Sequence, residues 1–154
     1  MSLAEETEMT CSEIDDFLGR HETGVLSLAR EDVPYAIPIS YGYDANERTI
    51  YVRLVSAPES EKRRFLASSP TARIVVYEEA EKGSTYRSVV ANGALEEISP
   101  DELTVRDIQQ YGAAKRPLFE IWGRSKENLD INLYRFDPTE LSGRRTEIDR
   151  EPDE

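Results

Sequence analysis

Apolar and polar positions alternate along the 154-residue chain in short blocks. "GVLSLA", "AIPISYGY", "TIYVRLV", "ARIVVYEE" and "SVVANGAL" are runs of aliphatic, β-branched and aromatic residues, each bounded by polar or turn-forming residues, as strands are. Glu31-Asp32 marks a turn after the first block and "DANER" a turn before "TIYVRLV", so residues 24–55 read as a three-strand meander. "TARIVVYEE" and "YRSVVANGALEEI" are two more strands around the tip "AEKGST", with Gly93 placed for a bulge or a close backbone approach. "NLDINLYRFDP" is a last strand. The period changes in "TCSEIDDFLGRH": Ile14, Phe17 and Leu18 share one helical face, and Thr10 and Glu13 have capping-box spacing. "SEKRRFLASSP" reads as a short helix halted by Pro70. Ser99-Pro100-Asp101-Glu102 predicts a helix reaching about Tyr111, and "PLFEIWG" another short helix or turn. This order predicts a mainly β fold, a small barrel of six to seven mostly antiparallel strands with inserted helices, rather than a parallel βαβ sheet. Residues 1–9 read as a loose N-terminus, 10–142 as a single domain and 143–154 as a charged flexible tail.

Composition narrows the class. A hydrophobic content of 38% supports a core. No apolar stretch approaches the ~20 residues of a membrane span, and no signal peptide is recognisable, so a cytoplasmic protein is expected. Cys11 is the only cysteine, which leaves neither an internal disulfide nor a cysteine pair for a metal. Acidic residues number 31 against 19 basic, for a net charge of -12, and lysine occurs only at positions 62, 82, 115 and 126. Such a surface suits concentrated salt, where self-repulsion is screened over a Debye length of ~3 Å at 1 M. A halophilic, haloarchaeal origin is the expectation. The same charge argues against nucleic acid, which asks for a basic face.

Familiar catalytic sets are sparse. A Ser-His-Asp triad or an imidazole ligand would have to rest on His21, the only histidine, which follows a helix where the dipole favours a cation. Cys11 opens the same helix, where a thiol can be acidified; packing is its simpler role. There is no Walker or GxGxxG loop. What remains is "SAPESEKRRFL", in which Ser60, Lys62 and Arg63 gather in the first turn of a predicted helix. A hydroxyl and two cations beside outward-pointing N–H groups would hold a phosphate; Glu59, Glu61 and the cations could equally form solvated pairs.

The ordered set "GVLSLA…VPYAIPISYGYD…TIYVRLVSAPESEKRRFL…SPTARIVVYEE…YRSVVANGALEEI" resembles the pyridoxamine 5'-phosphate oxidase-like flavin-binding split barrels, particularly their nitroimidazole-resistance-type branch. The resemblance covers residues 10–98, with an echo in "INLYRFDPTELSGR". It implies a split β-barrel that binds FMN, with Ile37, Pro38, Ile39 and Ser40 offering backbone to the isoalloxazine ring. Tyr41 follows as the tyrosine nearest the cofactor, and Arg53, Leu54 and Val55 flank ring and ribityl chain. Ser60-Glu61-Lys62 matches the family's Ser-x-Lys segment, so Lys62 would grip the FMN phosphate with Ser60 and Arg63 beside it. Ser88, five before Gly93, would lie near the flavin across a homodimer interface. Two departures carry weight. Glu61 stands where the family often has a basic residue, and "SGRRTEIDREPDE" lacks the Trp and Arg-rich segment that holds substrate phosphate in the vitamin oxidases.

The expected function is therefore an FMN-dependent oxidoreductase, distinct from the vitamin oxidase, with an unidentified small-molecule substrate and NAD(P)H as a candidate donor. The alternatives are a flavin-binding or redox-sensing module without turnover, and a deazaflavin-dependent reductase. Haem fits poorly with a single histidine. Trp122 could stack on a flavin or cap a pocket, but a core or interface anchor is the more usual role of such a residue. The tyrosines at 35, 43, 51, 77 and 86 fit strand packing.

Overall fold

The structure is a computed structural model that describes residues 4–56, 60–68, 71–80, 83–105 and 130–148. The elements are β1 (Ala4–Glu8), α1 (Cys11–Arg20), β2 (Thr23–Arg30), β3 (Val33–Asp44), β4 (Thr49–Ser56), α2 (Glu61–Ser68), β5 (Thr71–Ala80), β6 (Thr85–Ile98), a 3₁₀ turn (Pro100–Glu102) and β7 (Asp130–Ile148). Every strand pairing is antiparallel, in the order β1-β7-β4-β3-β2-β5-β6, and β6 returns to β7. Six strands thus close a barrel, as the hydrophobic pattern predicts, and β1 adds a seventh outside the ring.

Register shows how alternation builds the core. Ile37, Leu26, Ile74, Ala91 and Leu141 form one cross-strand row that points inward. The adjacent row, Pro38, Val25, Val75, Val90 and Ser142, points outward. Phe136, Ile50, Val52 and Leu26 are wholly buried at the centre. Helices close the two ends. At one end Ile14, Phe17 and Leu18 of α1 enter the core, and the Tyr41 hydroxyl donates to the Leu18 carbonyl at 2.8 Å. At the other, Phe65 of α2 stacks on Tyr35 with ring centroids 4.8 Å apart. Tyr35 and Tyr41 lie six residues apart on β3, so the two helices are separated by roughly 20 Å along that strand.

Local chemistry explains the element ends. The Thr10 hydroxyl accepts from the Glu13 amide at 3.2 Å while the Glu13 carboxylate accepts from the Thr10 amide at 3.1 Å, the reciprocal capping box. The β6–β7 register shifts at Asn92/Gly93, the expected bulge. A Cβ on Gly93 would stand 2.5 Å from the Asp137 carbonyl oxygen, so only glycine lets the two backbones approach. Three expectations are corrected. Residues 4–8, read as loose, form β1, and β7 runs to Ile148, into the stretch read as a tail. The reason is an open edge: β4 covers β7 only up to Phe136, and β1 covers Arg144–Ile148, with Glu6 paired to Arg144 and Met9 against Gly143. The strand Ala4-Glu5-Glu6-Thr7-Glu8 carries no apolar period to reveal it. The helix expected from Ser99 begins instead as a single 3₁₀ turn, in which the Glu102 amide donates to the Ser99 carbonyl at 2.9 Å. Its continuation beyond Val105, "PLFEIWG" and Trp122 lie outside the described residues.

Candidate functional site

The β3–β4 ladder runs only from Tyr41↔Val52 to Asp44↔Thr49. Before Tyr41, β3 pairs with β2 alone; after Val52, β4 pairs with β7 alone. The strands therefore part, and Ile37–Ser40 on one side and Arg53–Ser56 on the other border a gap in the barrel wall. Chain direction places α2 soon after the β4 border, and its Phe65 reaches Tyr35 on the β3 border.

The start of α2 is organised by Ser60. Its hydroxyl oxygen accepts from the Arg63 amide at 3.2 Å, and its carbonyl accepts from the Arg64 amide at 3.1 Å. Ser60 is thus the N-cap, one position earlier than the first-turn placement expected from sequence. Capping uses a lone pair and leaves the hydroxyl proton able to donate to an anion. Lys62 is half-buried, and burial pushes its ammonium below the ordinary lysine value. The Arg63 guanidinium turns to the barrel mouth, where Nη1 donates to Asn132 Oδ1 at 2.5 Å. Asn132 Nδ2 in turn donates to Glu97 Oε1 at 2.6 Å. Glu61 is exposed in the first turn.

The expected site residues separate into three groups. Ile37, Ile39 and Tyr41 turn their side chains inward, Ile39 and Tyr41 fully buried; Pro38 and Ser40 alternate to the other face, where Pro38 is exposed and Ser40 is buried. Tyr41, read as the tyrosine nearest the cofactor, is a core residue whose hydroxyl is bound to α1, and burial raises its pKa far above the ordinary value. Leu54 also points inward, Arg53 pairs with Leu133 across the ladder, and Val55 with Ile131. Ser60, Lys62 and Arg63 gather at the start of α2. Ser88 stands apart: it pairs with Tyr77 and Arg144 on the outward face of β6, three strands from β3, or about 14 Å at sheet spacing. One chain does not bring it to the gap.

His21 takes the structural alternative. Its Nε2 lies 2.9 Å from Glu78 Oε2 and its ring rests against Phe17 at 4.4 Å. Cys11 is exposed at the first position of α1. Sequence reasoning missed Asn132 and Glu97. For Asn132 the signal was present, because it is in phase with the buried Tyr134 and Phe136; Glu97 is exposed beside the buried Ile98, and no pattern marked it. A polar residue at a core phase near a strand end marks a barrel mouth.

The sequence profile described as pyridoxamine 5'-phosphate oxidase matches residues 10–145. The chain belongs to the pyridoxamine 5'-phosphate oxidase family. No curated protein sequence matches it significantly. Among solved structures, a FAD-binding protein from Mesorhizobium loti is 21% identical with a TM-score of 0.66, covering 94% of this chain and 99% of its own. A candidate 5-nitroimidazole antibiotic resistance protein from Bacteroides thetaiotaomicron is 16% identical, TM-score 0.69, with coverages of 94% and 90%. The FAD binding protein from Mycobacterium smegmatis is 18% identical, TM-score 0.62, with coverages of 93% and 100%. At these identities the likeness concerns the fold, and it extends the family's barrel over nearly the whole chain.

Proposed function

We propose that the protein is a flavin-binding oxidoreductase that holds FMN at the gap between β3 and β4, its phosphate at the start of α2. The observation that carries this reading is the parting of the two strands beside Lys62 and Arg63. Strand edges suit a flat ring with polar margins, and two cations with a capping hydroxyl suit a terminal phosphate. The bound flavin would supply the redox chemistry, accepting hydride or electrons. The chain's own part is to bind and orient. Lys62 and Arg63 would neutralise the phosphate, the Ser60 hydroxyl would donate a hydrogen bond to it, and the backbone of Ile37–Ser40 and Arg53–Val55 would border the ring. A dianion beside Lys62 would offset the burial that depresses its ammonium.

A homodimer completes the reading. The outward row Pro38, Val25, Val75 and Val90 is uncharged in a chain of net charge -12, and the exposed Tyr77 lies beside it. Covering that face with a second copy would bring a partner's Ser88 towards the gap. Arg144 and Arg145 are paired with Glu6 and Glu147 in the terminal strands, which speaks against a vitamin-phosphate grip there. Haem is disfavoured because the sole imidazole is taken up by Glu78.

Purification in high salt followed by an absorption spectrum and mass of the released cofactor tests the reading, with FMN expected. FAD or a deazaflavin would redirect it, and a colourless protein that takes up no flavin would end it. Lys62→Ala should weaken FMN at least tenfold and riboflavin far less. NAD(P)H oxidation by the loaded protein then separates an enzyme from a non-catalytic flavin module.

A further inference from the structure

Arg63 is anchored through an amide rather than a carboxylate. Its Nη1 reaches Asn132 Oδ1 at 2.5 Å, and the other end of that amide reaches Glu97 at 2.6 Å. The orientation of Asn132 is forced chemically: a guanidinium can only donate and an ionised carboxylate can only accept, so the amide oxygen must face Arg63 and the amide nitrogen Glu97. Both contacts sit at the barrel mouth, where Asn132 lies opposite Leu54 on β4 and Glu97 opposite Tyr134 on β7. Glu97 comes no nearer than the far side of the amide. A direct Arg63–Glu97 pair would hold the guanidinium equally well but cancel its charge.

We infer that Asn132 is a positioning residue that fixes Arg63 at the start of α2 while insulating it from Glu97, so that the guanidinium keeps its positive charge for an anionic ligand. The inference rests on reading the α2 start as a phosphate site. Among the described residues, Arg63 spends this one side-chain bond on the protein, leaving the rest of its fork for phosphate oxygens. The backbone end is fixed separately by Ser60, whose hydroxyl oxygen holds the Arg63 amide. Arg63 is thus clamped at both ends by neutral groups.

The test is a binding series with FMN and riboflavin, read by quenching of flavin fluorescence, on the wild type and on Asn132→Asp, Asn132→Ala, Arg63→Ala, Lys62→Ala and the Arg63→Ala/Asn132→Asp double variant. Asn132→Asp keeps the shape and the contact but places a negative charge on Arg63; it should weaken FMN about tenfold and riboflavin less than twofold. Asn132→Ala releases the guanidinium without neutralising it, and about a threefold selective loss is expected. This second variant keeps the test open should two facing carboxylates prevent folding. In the Arg63→Ala background Asn132→Asp should have no further effect on FMN, because its action passes through the guanidinium. Equal losses for FMN and riboflavin, or an undiminished effect of Asn132→Asp without Arg63, would overturn the inference. The two readings fail differently. If Lys62→Ala is phosphate-selective and the Asn132 variants are not, the phosphate site stands and the positioning role falls. If the wild type binds riboflavin as tightly as FMN, the phosphate site itself falls and takes Asn132 with it.

Discussion

The helices that close the two ends of the barrel are both short and both bring cations to one end, Arg20 and the C-cap His21 at α1 and Lys62, Arg63 and Arg64 at α2, but these cations meet different partners. At α1, both Nη atoms of Arg20 reach Glu78 at 2.9 Å, His21 reaches it at 2.9 Å and Arg87 at 3.0 Å. At α2, Arg63 ends on the amide of Asn132. Burial differs in the same sense: α1 sinks Ile14, Phe17 and Leu18 into the core, α2 only Phe65. One helix has its charges answered by a carboxylate and its face buried. The other is held by the Phe65–Tyr35 stack, and its Arg63 bonds a neutral amide rather than a carboxylate. A cation near a helix end is diagnosed by what answers it, not by how many neighbours share its sign.

The largest effect that separates the two ends is truncation of their anchors. Phe17→Ala should cost about 4 kcal/mol, since the side chain is 1% exposed and the barrel wall cannot collapse around the void. Phe65→Ala should cost about 3 kcal/mol, as it sits at the rim against Tyr35 and its cavity opens to solvent. Urea unfolding measures both. Phe65→Ala should also abolish any preference for FMN over riboflavin, because α2 carries the cations, whereas Phe17→Ala should leave that preference intact in the folded fraction. Equal effects on ligand preference would remove the functional contrast between the helices.

Next in size is the Glu78 cluster. Hydrogen bonding from Arg20, with further help from Arg87 and His21, holds the Glu78 carboxyl at about 2, well below its ordinary 4.5. A folded-state value below the unfolded one means that the stabilisation is fully present above about pH 4.5 and is lost as pH falls towards about 2. Glu78→Gln should cost about 2 kcal/mol near neutrality and flatten this part of the acid limb. Urea midpoints between pH 6 and pH 2 test it; an unchanged slope in Glu78→Gln would show that the acid sensitivity lies elsewhere.

How far this contrast was legible in the sequence follows from the physics of each part. Strand alternation is a local property, so the meander and the Gly93 bulge could be read directly. The Thr10–Glu13 cap could be read for the same reason. Pairing at long range could not. That β1 covers β7, that β3 and β4 part after Tyr41↔Val52, and that Arg63 meets Asn132 sixty-nine positions away all depend on which edges come together. Ser60, Lys62 and Arg63 lie together at the start of α2 because their spacing alone puts them there. That the Tyr41 side chain has the phase of the core is a fact available only once the neighbouring Ile39 and Ile37 are known to point the same way.

The smallest effects compare the two caps. Thr10→Ala removes one half of a reciprocal box at a helix with three buried residues, and about 1 kcal/mol of stability should go with it. Ser60→Ala removes a single bond to the Arg63 amide at a helix with one buried residue, so a thermal melt should register about 0.5 kcal/mol. Its consequence for ligand should be out of proportion to that figure. On the proposed reading the hydroxyl that accepts from the Arg63 amide also donates a hydrogen bond to phosphate, so Ser60→Ala should weaken FMN about fivefold while riboflavin changes little. Ser60→Thr keeps the hydroxyl and should restore both cap and preference. A Ser60→Ala protein that loses stability but keeps its preference for FMN would show that the hydroxyl only caps, and the phosphate would then rest on the two cations alone.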